Sequence, residues 1–159
     1  MRINKSTDYA IKILLYLANR DGQVSSSELS KQLSISKRYL LQIAAKLRDA
    51  GIVCVFKGTD GGYKLIKEID DISLYLVFNL MQDSTHLIPC SAEIKSPSGN
   101  FRDLHITYWT LQQHINTFLE AISIEMLLGK IPAQKILTSP EFPPPSYDPA
   151  IENPTPEKP

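Results

Sequence analysis

The sequence predicts a mainly α-helical fold with one small β-hairpin, on three observations. Apolar residues recur at the helical period of ~3.6 through positions 7–50 and again beyond 73. Between 52 and 66 the period drops to ~2 around a glycine-rich turn. Proline is absent before Pro89, whereas eight of the eleven prolines crowd into 140–159. Proline has no amide donor and a fixed φ, so regular structure is expected only ahead of that stretch. With 159 residues and 43% apolar side chains, the chain suits one domain with a real core.

The first helix is predicted over about 7–20, where Ala10, Ile13, Leu14, Leu17 and Ala18 make one buried stripe. Asp21-Gly22 ends it. Ser25-Ser26-Ser27-Glu28 reads as a capping box, with the Ser25 hydroxyl on the Glu28 amide and the Glu28 carboxylate reaching back. A short helix over about 26–33 follows, then a turn at Ser34-Ile35. Ser36 is the expected N-cap of a third helix over about 37–50, with Leu40, Ile43, Ala44 and Leu47 inward and Gly51 as its left-handed stop. Ile52, Cys54 and Phe56 alternate with Val53, Val55 and Lys57, which places Cys54 toward the core. Gly58-Thr59-Asp60-Gly61-Gly62 turns the chain into a return strand, Tyr63–Ile66. A fourth helix is expected at about 73–82, a loop over 84–102, and a long helix over 103–130 that ends at Gly129. The remainder, 131–159, is expected to be a proline-rich tail, mostly disordered.

Net charge is zero, yet unevenly spread: residues 1–66 carry 11 Lys and Arg against 5 Asp and Glu, a net +6, and the rest carries −6. A basic front half raises the prior for a polyanion partner. Two cysteines are too few for a disulfide scaffold. The charged start Met1-Arg2-Ile3-Asn4-Lys5 is unlike a signal peptide, and no apolar run reaches the ~18 residues of a membrane span. A cytoplasmic location with reduced thiols and no membrane partner is expected. No phosphate loop, nucleophile elbow or His-Glu-x-x-His motif is present, so the sequence predicts no enzyme.

A short helix, a tight turn, a second helix with a basic face and a glycine-turned hairpin together make a winged helix-turn-helix covering about 1–83. In such a pair the second helix enters the DNA major groove, its N-terminal residues meeting base edges. The candidate DNA-binding residues are Ser26, Ser36, Lys37, Arg38, Tyr39, Gln42, Lys46, Lys57, Thr59 and Tyr63, with Leu41 and Arg48 also outward and Lys64 on the hairpin. Arg and Gln can grip guanine and adenine in bidentate fashion, while Lys and Ser hold phosphates.

The strings Met1-Arg2-Ile3-Asn4-Lys5-Ser6-Thr7-Asp8-Tyr9-Ala10, Ile35–Gln42, Lys46–Val53 and Lys57–Leu65 resemble the Rrf-two family of bacterial winged-helix transcription regulators. The resemblance covers about 1–130 and implies a homodimer on a palindromic operator, acting as a repressor. Many members carry Glu where this chain has Leu41, so their base preference does not transfer. Cluster-binding members carry three cysteines about six residues apart and often a histidine. Here those stations are Cys90, Ser96 and Arg102, with His105 at the histidine place; Asp8 stands where some members use a carboxylate. Arginine cannot ligate iron, so no cofactor is expected. His86 and Cys90 have a zinc-like spacing without a second ligand pair. Cys90 and His105 stay as candidate sensor residues, Cys90 otherwise being an inert thiol. Two other readings use the same chain: a redox- or metal-responsive switch sensing through Cys90, and a winged-helix adaptor that binds protein. The sequence names no effector.

In the long helix Leu104, Tyr108, Leu111, Ile115, Phe118, Ile122 and Met126 form a heptad-like seam, flanked by Trp109, Leu119 and Ile124. One row is expected to cover the chain's own core and the other to pair with a second copy. Alternatively both rows pack within one chain.

Overall fold

The computed structural model describes residues 4–58, 61–82 and 102–130. Its elements run α1 (Lys5–Ala18), α2 (Ser26–Gln32), α3 (Lys37–Asp49), β1 (Val53–Phe56), β2 (Gly62–Leu65), α4 (Leu74–Met81) and α5 (Arg102–Ala121), closed by a π-helical turn, Met126–Lys130. The strands pair antiparallel, Val53 opposite Leu65 and Phe56 opposite Gly62. A mainly helical fold with one hairpin is what the periodicities predict. The segments 84–101 and 131–159, with the readings placed on them, lie outside the described residues.

The core forms where four helical stripes meet. Ala10, Ile13, Leu14 and Leu17 of α1 bury against Leu40, Ile43, Ala44 and Leu47 of α3, with Leu29 of α2 and Val77 and Met81 of α4 closing the sides. Each such side chain withdrawn from water contributes about 1.5–3 kcal/mol. The α3 stripe has the predicted membership.

Helix ends show why the boundaries fall where they do. α1 starts two residues earlier than the stripe suggests because Asn4 caps it: its Oδ1 accepts from the Thr7 amide at 2.7 Å and the Thr7 hydroxyl at 2.9 Å. The Asn4 side-chain amide also donates to the Met81 carbonyl at 3.3 Å, tying the α1 start to the α4 end. Ser25 caps α2 as predicted, accepting from the Glu28 amide at 3.1 Å. The reciprocal half of the capping box is a correction: the Glu28 carboxylate accepts instead from the Tyr16 hydroxyl at 2.7 Å. A phenol on the neighbouring helix is the stronger competitor for that charge.

Both ends of the helix-turn-helix close by the same device. After α3, the Gly51 amide donates to the Arg48 carbonyl (2.8 Å) and the Ile52 amide to that of Leu47 (3.0 Å), with Gly51 at φ 69°. This is a Schellman motif with its apolar contact between Ile52 and Leu47, both fully buried. After α2 the pattern repeats: the Ser34 amide donates to Lys31 and the Ile35 amide to Ser30. There the left-handed residue is a serine, Ser34 at φ 52°.

The long helix is also a correction. It does not run unbroken to Gly129 but stops at Ala121, because the chain leaves the helix at Ile122-Ser123, where Ser123 bridges antiparallel to Ser73, before helical structure resumes at Ile124. The Leu74 amide donates to the Ile122 carbonyl at 2.8 Å and the Ile124 amide to the Ile72 carbonyl at 2.9 Å. Ile72, Ile122 and Ile124 are buried there. Exposure therefore divides along α5 rather than around it. Leu119, Ile122 and Ile124 pack on the domain, Ile115 and Phe118 are half-buried, and Leu104, Tyr108, Trp109 and Leu111 are exposed.

Two substitutions should act in opposite directions. A Cβ on Gly62 would overlap the Val24 carbonyl oxygen and stand 2.7 Å from its carbon, both backbone atoms. Gly62→Ala is expected to destabilise by about 2–3 kcal/mol. Ser34→Gly relieves a left-handed serine and should stabilise by about 0.5–1 kcal/mol. Urea denaturation of the two variants beside the wild type checks both signs.

Candidate nucleic-acid interface

α3 presents its second face to water. Ser36 caps it, its Oγ accepting from the Tyr39 amide at 3.3 Å. With the apolar stripe turned inward, Lys37, Arg38, Leu41, Gln42, Lys46 and Arg48 are exposed. Arg48 is bound within the helix, its guanidinium reaching Asp49 Oδ1 at 2.6 Å and 2.9 Å. The side chains of Lys37, Arg38, Gln42 and Lys46 pair with no other described residue.

The first turn of α3 has an electrostatic conflict. Exposed backbone amides make a helix N-terminus the positive end of its dipole, where anions stabilise and cations do not. α1 and α2 obey this with Asp8 and Glu28 in their first turns. α3 has no acid there and carries Lys37 and Arg38 instead. Amides and cations together form a site complementary to an anion.

The hairpin stands beside this helix pair through a backbone bridge. The Val24 amide donates to the Tyr63 carbonyl at 2.9 Å, and the Tyr63 amide to the Val24 carbonyl at 2.8 Å. Lys57 and Lys64 are exposed on it, and Thr59 lies outside the described residues. Tyr63 needs correcting as a contact residue. It is buried, 3% exposed, and its hydroxyl accepts from the Ser26 Oγ at 3.4 Å, so it positions the wing from within the core. Ser26 is half-buried by the same contact. Tyr39 is half-buried too, edge-on to Tyr9 with centroids 5.9 Å apart.

Sequence reading missed the clasp that fixes α2 on α1. Arg20 donates to the Tyr16 hydroxyl at 2.9 Å and lies 5.0 Å from the centre of its ring, while Glu28 accepts a hydrogen bond from the Tyr16 hydroxyl and sits 3.9 Å from Arg20. The hydrogen bond to Tyr16 raises the Arg20 pKa above its ordinary value. The Tyr16–Arg20 spacing of four was the available signal.

Of the candidate sensor residues, Cys90 and the His105 side chain lie outside the described set. Cys54 is a correction: opposite Lys64 in the hairpin, it is half-buried rather than a core residue, because β1 is the outer strand, with Val24 on the far side of β2, and only its start at Val53 reaches the core. Beyond that point Val55 and Phe56 are exposed on both faces. Among the described residues no three His, Cys, Asp or Glu side chains are grouped to hold a metal ion.

Residues 3–130 match the sequence profile of the Rrf2 family, described as iron-dependent transcriptional regulators. The chain belongs to the Rrf2 family. The family's members are regulators rather than enzymes, and this one is a DNA-binding transcription regulator. Its relatives include the regulator IscR of Photobacterium profundum, 31% identical over 139 residues, which are 86% of this chain and 80% of that one. The IscR of Aliivibrio salmonicida is 30% identical over the same length, covering 82% of that protein. Among solved structures, CymR, the global cysteine regulator of B. subtilis, superposes with a TM-score of 0.67 at 22% identity, covering 83% of this chain and 99% of that one. T. potens IscR gives 0.64 at 22% identity over 85% and 91%. These likenesses establish the Rrf2 fold. No helix among the described residues is long and apolar enough to cross a membrane.

If the first turn of α3 is electrostatically frustrated, Arg38→Glu should raise the stability of the free protein by about 1 kcal/mol at low salt. The gain should shrink as salt is added. Urea denaturation at two ionic strengths reads it, and an unchanged or lowered stability would remove the conflict.

Proposed function

We propose that this chain is a sequence-specific repressor acting as a homodimer on a two-fold-symmetric operator, with α3 in the major groove and the hairpin on the flanking backbone. The observation that carries the reading is the first turn of α3, where Lys37 and Arg38 stand against the helix dipole with no acid beside them. A phosphate would satisfy the amides and Lys37 at once, which leaves the longer Arg38 to extend past it to a base edge. Local rules broken at a stability cost mark functional positions. Lys37, Lys46 and Lys57 serve the phosphates; Arg38 and Gln42 reach base edges. Such a regulator works in the cytoplasm, where its DNA is.

The dimer reading rests on the free end of α5. Leu104, Tyr108, Trp109 and Leu111 expose apolar surface, Trp109 at 66%. Contiguous apolar surface of this kind is normally an interface, and a second copy presents the same patch. The half-buried Ile115 and Phe118 continue it toward the domain.

The donors in the chain do not fit an iron–sulfur cluster. It has two cysteines, Cys54 in the wing and Cys90 alone in its segment, while an arginine, Arg102, opens α5 at a thiolate station of cluster-binding members. We therefore assign no cluster and leave Cys90 as the one thiol on which a redox response could act.

Selection from a random DNA pool should yield a symmetric site. Against it, Arg38→Ala and Gln42→Ala should each cost about 1–3 kcal/mol and relax one position per half-site, whereas Lys37→Ala and Lys57→Ala should weaken all sequences alike and lower the salt slope by about 1. Equal, sequence-independent losses from all four would refute the division. Affinity insensitive to salt would favour the protein adaptor. Ile115→Glu should give monomers or unfolded protein; light scattering showing wild type itself monomeric at micromolar concentration would end the dimer reading.

A further inference from the structure

Leu41 is the largest apolar side chain on the outward face of α3, 55% exposed. On a helix surface its neighbours are the residues three and four positions away, here Lys37, Arg38, Ala44 and Ala45. It therefore sits on the polar-basic face, between the cations of the first turn and the small side chain of Ala45, with the buried Ala44 on its inner side. The inward face is already filled by Leu40, Ile43, Ala44 and Leu47, so the core has no use for it.

We infer that Leu41 is a specificity-determining residue that reads the 5-methyl group of a thymine in the major groove. The inference rests on α3 being the groove helix. In that groove the base edges offer hydrogen-bond donors and acceptors, and the thymine methyl is the one apolar group among the four bases. An aliphatic side chain pressed against a donor or acceptor strips it of water and gives nothing back. Against a methyl it buries apolar surface on both sides. Leu41 thus favours A·T pairs at one position per bound α3 and penalises guanine and cytosine there. Arg38 and Gln42 supply the hydrogen-bonded positions on either side.

The test changes the DNA first. Replacing each thymine of the selected operator singly by deoxyuridine removes the methyl and leaves every hydrogen-bonding group in place. Fluorescence anisotropy with the full-length protein should find one thymine per half-site whose replacement weakens wild-type binding about fourfold, the value of one buried methyl group. Leu41→Ala, checked for folding by circular dichroism, should bind thymine and deoxyuridine operators equally. A protein that selects an operator but discriminates no thymine from deoxyuridine overturns the inference alone. So does discrimination that persists in Leu41→Ala. A wild type that selects no sequence overturns both the inference and the groove-helix reading beneath it.

Discussion

The two hydrogen bonds between Val24 and Tyr63 are the constraint on which the geometry of the interface depends. Without them the hairpin would be a two-stranded ribbon attached at one end, and such ribbons are marginally stable in water. The bridge makes Val24 a third partner, and the residue ahead of Tyr63 must be glycine for the backbones to approach. Tyr63 then extends into the core beside Ser26, the first residue of α2. From there the chain passes through the Ser34 turn into α3, through the Gly51 turn into β1, and back to Tyr63. That closed circuit fixes the wing relative to α3 with short, hydrogen-bonded connections among the described residues.

Charge is distributed with the same economy. The acids in the first turns of α1 and α2 serve the fold, one in an i,i+4 pair with Lys12 at 2.7 Å, the other in the Tyr16 clasp. Exposed pairs of this kind contribute little individually, since solvent screens them. Their effect here is on placement, since they engage Lys12 and Arg20 and leave Lys37 and Arg38 at the start of α3 unengaged. The core supplies the stability that lets α3 keep an unfavourable first turn.

The helices and their buried faces were legible as stripes of aliphatic residues, most plainly where a serine cap precedes the stripe, as in Ser36 ahead of Leu40, Ile43, Ala44 and Leu47. Gly51 announced its own turn. What escaped was decided by partners distant in sequence. Glu28 had a local use in its capping box and a better one on Tyr16. Tyr63 looked like a wing residue until the bridge to Val24 drew it inward. Ile122 fitted a helical seam equally well, and only the matching Ile72-Ser73-Leu74 segment, about fifty residues earlier, broke the helix at Ile122-Ser123. Of the candidate site, residue identities on α3 were readable, whereas the conflict at its first turn emerged only from comparing three helix ends.

That Ile72–Ile124 pairing has a mechanical side. α5 is held to the domain near its C-terminal end, and its twenty residues contain neither glycine nor proline, so it behaves as a stiff rod. From Ile122 to Leu104 the rod extends roughly 27 Å at the helical rise. Taken as rigid, it turns a rotation of about 10° at the pivot into a displacement of about 5 Å at the tip, by the same lengths. The end that packs through Leu119 and the Ser73–Ser123 bridge is therefore the anchored arm of a lever, and whatever grips the far end gains leverage on the body that carries α3.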